Sequence, residues 1–139
     1  MTLAAEKKPK LRLLLAIYTR ELKTAFFLAL SNQPSVQIVA STTNTAELLS
    51  YNRTFQPDAI ALEWELPGRP VADLLPTLTQ ACPSAEILII CKPSSRPQIR
   101  DVAPAASVFD EPEELIITLE ALQVATKQPI RTITDQEGP

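Results

Sequence analysis

The chain predicts an α/β fold: a doubly wound, five-stranded parallel sheet with helices on both faces. Three observations carry this expectation. Short apolar runs alternate with segments of helical period from Leu11 to Leu122. Several runs are almost wholly apolar rather than alternating, the pattern of strands buried on both faces. Right-handed crossovers between successive strands then favour a parallel sheet.

The elements follow in order. Leu11 to Ile17 is the first strand, a near-continuous apolar run. From Thr19 to Leu30 the period changes, and Leu22, Ala25, Phe26 and Ala29 share one helical face. A turn over Asn32 to Ser35 leads into the second strand, Val36 to Ser41. Asn44 is placed to cap a helix that carries Ala46, Leu48 and Leu49 and ends near Phe55. Ala59 to Glu63 is the third strand. Val71, Leu74, Leu75 and Leu78 mark a helix in which Pro76 is an irregularity. Glu86 to Cys91 is the plainest strand. Prolines 93, 97 and 104 restrict the next segment to a short helix around Gln98 to Val102. Ser107 to Phe109 is the fifth strand. Pro112 suits the first turn of a last helix, whose positive end is complemented by Glu111, Glu113 and Glu114. Leu115, Ile116, Leu119 and Leu122 form its inner face. The expected strand order is 2-1-3-4-5, a flavodoxin-like arrangement.

Composition narrows the function. The 139 residues suit one domain with a sizeable core. We divide them into an N-terminal tail (1–9), a domain (10–125) and a C-terminal tail or linker start (126–139). The net charge is −3 with no basic stripe, so nucleic acid is not an implied partner. The one basic cluster, Lys7 to Arg12, reads as a solvated tail. No signal peptide is read at the N-terminus and no apolar window is long enough for a membrane span, so a cytoplasmic location is expected. There is no histidine, which removes His-based catalysis and His metal sites. The two glycines, Gly68 and Gly138, are too few for a phosphate-cradling loop or dinucleotide fingerprint. Two cysteines make no disulfide framework.

The densest signal is Pro57-Asp58-Ala59-Ile60-Ala61-Leu62-Glu63-Trp64-Glu65-Leu66-Pro67-Gly68, a buried strand ending in one acid before a Pro-Gly turn. This run resembles the third strand of a response-regulator receiver domain. The resemblance extends over roughly residues 10–125, through Leu11 to Leu30, Ile87 to Cys91, and Glu111-Pro112-Glu113-Glu114-Leu115. It implies a site at the carboxyl ends of the strands where an aspartate takes a phosphoryl group with help from Mg²⁺. Mg²⁺ needs hard oxygen ligands, and receivers place two acids after the first strand. Those positions are Ile17 and Tyr18 in this chain. The acceptor position holds Glu63, whose oxygen would be displaced by about 1.5 Å; misplacement on that scale costs about 100-fold in rate. The hydroxyl expected after strand four is replaced by Cys91, a weak hydrogen-bond donor. The lysine expected after strand five is replaced by Asp110, or by Val108 if the gap is placed differently. The segment from Cys91 to Asp110 is also about three residues shorter than is common in the family, close to one helical turn.

The resemblance and these replacements together imply a pseudo-receiver: a non-enzymatic signalling module without cofactor or metal, acting by protein–protein contact. Ile17, Tyr18, Glu63, Cys91 and Asp110 would be a degenerate phosphoacceptor pocket. Glu63 reads as a strand-end carboxylate accessible to solvent, paired with Lys92 or hydrogen-bonded by Tyr18; imitation of a phosphorylated aspartate is the sharper alternative. Trp64 and Arg69 in the loop after strand three, and Arg100, Phe109 and Glu113 further on, are candidate partner contacts. Trp64 could equally be partly buried against the first helix. The partner would be another protein, or a second copy through helix four, strand five and helix five. The competing reading is the regulatory domain of a longer transcriptional regulator.

Overall fold

The computed structural model describes residues 10–103, 106–109 and 111–122. Five strands form one parallel sheet: β1 (Leu11–Ala16), β2 (Val36–Thr42), β3 (Ala59–Glu63), β4 (Glu86–Ile90) and β5 (Ser107–Phe109). Their order is β2-β1-β3-β4-β5, as the alternation of elements predicts. Five helices connect and follow them: α1 (Arg20–Ser31), α2 (Thr45–Phe55), α3 (Val71–Ala81), α4 (Arg96–Val102) and α5, residues 112–122.

The apolar runs divide their side chains between the two sheet faces, as strands of period two must. Leu11, Leu13 and Leu15 of β1 pack with Phe26 and Leu30 of α1 and with Leu115 and Leu119 of α5. Leu14 and Ala16 turn the other way, onto Leu48 of α2 and Val71, Leu74 and Leu78 of α3. Ile89 and Cys91 complete that second layer with Ile99 of α4. A β-bulge shifts the β1–β2 register between Leu13 and Leu14, so Ile38 packs on the α1 side and Ala40 on the α2 side.

Local chemistry sets the ends of the elements. The Asn44 side chain accepts a hydrogen bond from the Glu47 amide at 2.9 Å and caps α2 as expected. Gln56 closes the same helix with φ 45°, the left-handed conformation that a helix end often takes. Its Nε2 donates to Ala81 O at 3.1 Å, and the Arg12 guanidinium donates to Gln56 O at 2.8 Å. Arg12 is thus a structural strand residue and not part of a solvated tail; residues 1–9 lie outside the described residues. The Asp58 carboxylate accepts from Arg12 N at 2.8 Å, which fastens the start of β3 to β1. Gly68 has φ 117°, and a Cβ there would lie 2.0 Å from Thr45 Oγ1. The Pro-Gly turn therefore presses directly on the start of α2, where Thr45 N donates to Pro67 O at 3.1 Å.

Two expectations are corrected. Ala25 is exposed, while Phe26 and Leu30 are the buried residues of α1. The segment after β4 is also more helical than its prolines suggest. A 3₁₀ turn over Pro93–Ser95 runs into α4, because Pro93 and Pro97 both fall in first-turn positions where no amide bond is lost. Pro76 does lie inside α3, on its exposed side.

Candidate functional site at the carboxyl ends of the strands

In a parallel sheet, loops at the carboxyl ends of adjacent strands meet at one edge. The β1–β3 register pairs Ala16 with Leu62, which brings Glu63 beside Ile17 and the start of the β1–α1 loop. Glu63 is 5% exposed. Its Oε1 accepts from Tyr18 N at 2.8 Å and from Thr19 N at 3.0 Å. Its Oε2 accepts the Thr19 hydroxyl proton in a short hydrogen bond. A buried carboxylate is tolerated because these donors replace its water.

This arrangement corrects the expectation of a solvent-accessible carboxylate paired with Lys92. The Glu63 side chain turns inward, and no ion pair joins it to exposed Lys92 among the described residues. The Tyr18 contact is made by the backbone amide; the ring is 60% exposed. Thr19, which sequence reasoning treated only as a helix start, is the missed partner. It occupies the N-cap position of α1 but makes no side-chain capping bond, because its hydroxyl is taken by Glu63. The available signal was the strand order: 2-1-3 places the end of β3 against the residues after β1.

Ile17 is 1% exposed and belongs to the core. Cys91 is buried, its amide donating to Phe109 O at 2.8 Å. Asp110 lies outside the described residues. A cleft of about 370 Å³ opens beside Glu63, lined among others by Thr19, Leu22, Trp64, Cys91 and Lys92. The residues present do not fit Mg²⁺: the Ile17 side chain has no oxygen to offer and both Glu63 oxygens already accept protein donors. No group of three His, Cys, Asp or Glu among the described residues is arranged to hold a metal ion.

The candidate contact residues separate into three kinds. Trp64 is half-buried, packed against the α2–α3 layer and the α4 layer rather than being an open anchor. Arg69 is exposed, and its guanidinium folds back to donate to Asp73 O at 3.4 Å. Arg100 and Glu113 are exposed. Phe109 is 6% exposed and packs in the core with Leu115 and Leu119, so it offers no surface to a partner. Arg96 reaches Glu114 at 3.9 Å and links α4 to α5.

No family model and no curated protein matches the chain. Solved structures that it resembles include response-regulator receiver domains. The receiver domain of AraT from Geobacillus stearothermophilus superposes with a TM-score of 0.72 at 12% identity, covering 86% of this chain and 97% of that one. The receiver domain of the response regulator NarL from Mycobacterium tuberculosis gives 0.66 at 18% identity, covering 81% and 98%. The isolated receiver domain of RcsB from Salmonella enterica serovar Typhimurium gives 0.69 at 16% identity, covering 82% and 88%. The chain therefore has the flavodoxin-like receiver fold. No helix among its described residues is long and apolar enough to cross a membrane.

Proposed function

We propose that this chain is a pseudo-receiver: a non-enzymatic signalling module that works by protein contact and does not take a phosphoryl group by the aspartate–Mg²⁺ route. One observation carries the reading. The only carboxylate at the acceptor position is buried, and its oxygens are bound to Tyr18 N, Thr19 N and the Thr19 hydroxyl. An in-line attack on phosphorus needs an exposed oxygen lone pair and a cation to gather the phosphoryl oxygens. Glu63 is 5% exposed with both oxygens already accepting protein donors, and among the described residues no cluster of three acids, His or Cys could hold a cation. The donors around Glu63 also hold its carboxylate as a structural link, which argues against imitation of a phosphorylated aspartate. Regulation would then act on the surface of α4, β5 and α5, where Arg96 reaches Glu114 at 3.9 Å. A protein partner or a second copy of the chain would bind there.

Incubation with acetyl phosphate and Mg²⁺ followed by intact mass measurement tests this. The expected result is an unchanged mass. A stoichiometric gain of one phosphoryl group that is lost in Glu63→Ala would overturn the proposal.

A second reading is favoured by one comparison. RcsB solved bound to the promoter rprA is matched over 60% of its chain, with 82% of this chain covered and a TM-score of 0.68. On that reading the domain regulates an output segment of a longer protein. A reading frame continuing past Pro139 into a helix-turn-helix segment would support it, and a stop codon directly after Pro139 would exclude it.

A further inference from the structure

The sheet ends on one side in a long strand, β2. Among the described residues β2 pairs only with β1, so its outer row of amides and carbonyls meets no other strand. Proteins guard such edges with lysine, proline or inward-pointing charge. Val36-Gln37-Ile38-Val39-Ala40-Ser41-Thr42 carries none of these. Beside it a cleft of about 440 Å³ opens between α1 and β2, lined by Phe27, Leu30, Val36, Ile38 and Ala40 among others. Phe27 stands 42% exposed there.

The chain holds one further run with strand chemistry. Ile130-Arg131-Thr132-Ile133-Thr134, outside the described residues, has four β-branched residues in five and no glycine or proline. Pro129 precedes it and Asp135 follows, residues that bound strands rather than extend them. Handedness selects where such a strand goes. Helices α1 and α5 pack on one face of the sheet, and α2, α3 and α4 on the other. The step from β1 to β2 carries its helix on the first face. The steps in the opposite direction, toward β5, carry theirs on the second. Both patterns are right-handed crossovers. A strand following α5 keeps that hand only by moving toward β2, whose outer edge is the end of the sheet in that direction. The outer edge of β5 would require a left-handed crossover.

The reach agrees. A helix after a parallel strand runs back to the amino ends of the strands, so α5 ends at the edge where Val36 begins β2. The seven residues 123–129 separate Leu122 from Ile130, and extended they span roughly 25 Å. One helix spacing plus one strand spacing, about 15 Å, is the distance to cover.

We infer that residues 130–134 add to the outer edge of β2 as a sixth, parallel strand and close the cleft against α1. Ile130 and Ile133 fall on opposite faces of such a strand. One covers Phe27 and Ile38 in the cleft, and the other joins Ala40 on the α2 side. Docked there, the segment shields an unguarded edge from pairing with another chain. Its release exposes that edge and the cleft together. The site lies at the opposite end of the sheet from β5 and does not depend on the contact surface proposed above.

The test is nuclear magnetic resonance on the whole chain. NOEs should join the methyl groups of Ile130 or Ile133 to the Phe27 ring, and the outward row of β2 amides should exchange slowly. The double variant Ile130→Asp, Ile133→Asp puts a charge on each face of the segment and leaves residues 10–122 unchanged. It should abolish those NOEs and speed the outward β2 amides at least about tenfold, while β3 and β4 amides keep their rates. Ile130→Val with Ile133→Val should preserve both the NOEs and the slow exchange. Absent NOEs, or outward β2 amides that exchange equally fast in the parent and the aspartate variant, would overturn the inference. So would NOEs from the segment to Ser107 or Phe109, which would place it at β5. NOEs arising only between labelled and unlabelled copies in an isotope-filtered mixture would assign the edge to the segment of a second copy, and equally overturn it.

Discussion

Glu63 joins three strands of reasoning at one side chain. It ends a strand that is buried throughout, yet it carries a charge that burial penalises. The compensation is local: two backbone amides and one hydroxyl from the β1–α1 loop. Removing the carboxylate leaves Tyr18 N and Thr19 N without their acceptor in a partly buried setting. Hydrogen bonds to charged groups contribute about 1.5–3 kcal/mol each, and those sharing one acceptor are not additive. Glu63→Ala should therefore lose about 2–4 kcal/mol of stability, read as a lower urea midpoint at unchanged slope. Thr19→Val removes only the hydroxyl donor and should cost about 1–2 kcal/mol. If Glu63→Ala leaves the midpoint unchanged, the carboxylate is not the link described. Little of this was legible in the sequence. The strand and its terminal acid were visible, and so were the identities of Ile17, Tyr18 and Cys91. The direction of the Glu63 side chain was not, because its partners lie more than forty residues away and become neighbours only through the β1–β3 pairing.

Among the elements, the β3–α3 turn shows the closest tie between sequence and shape. Pro67-Gly68 identifies a turn from the sequence alone. The structure adds why glycine stands there: φ 117° combined with Thr45 Oγ1 in the space of a Cβ. Gly68→Ala should cost about 2 kcal/mol or more from backbone strain and displacement of Thr45, and it should loosen the start of α2, seen as faster amide exchange at Leu48 and Leu49. Equal stability of the variant would contradict this account of the turn. The strand limits were legible because apolar runs set them. The helix faces were less so: Ala25 fits the period but sits outside, because alanine carries too little side chain to decide which way a helix turns. Asn52 and Thr45 show the opposite case. Both are polar and buried, and each is held by a partner in another element: Asn52 Nδ2 donates to Leu78 O at 3.1 Å, and Thr45 Oγ1 accepts from Arg69 N at 3.1 Å. Periodicity has no means of signalling such pairs.

Across the whole molecule, the core lies in layers on two faces of one sheet, and Trp64 touches two packing clusters of the α2–α3–α4 face. A single tryptophan in that place reports on the packing of several elements. Urea unfolding followed by Trp64 fluorescence should coincide with the loss of helical circular dichroism, as for a cooperative domain of this size. Separate transitions would show that the α4 region opens independently. The fold as a whole was the most legible feature, since five apolar runs and right-handed crossovers leave few alternatives to the order found. Function is legible only through what the fold's carboxyl edge now contains. On a scaffold shared with receiver domains, the proposed counterpart of the acceptor is Glu63, buried and accepting from Tyr18 N, Thr19 N and the Thr19 hydroxyl. That claim is tested most directly with beryllium fluoride and Mg²⁺, a mimic of the phosphoryl group used with RcsB. Amide spectra of the protein titrated with both should show no saturable shifts at Tyr18, Thr19, Glu63 or Cys91. Saturable, Mg²⁺-dependent shifts at those four residues would contradict the account, since they would show that Glu63 can leave Thr19 and accept a phosphoryl analogue.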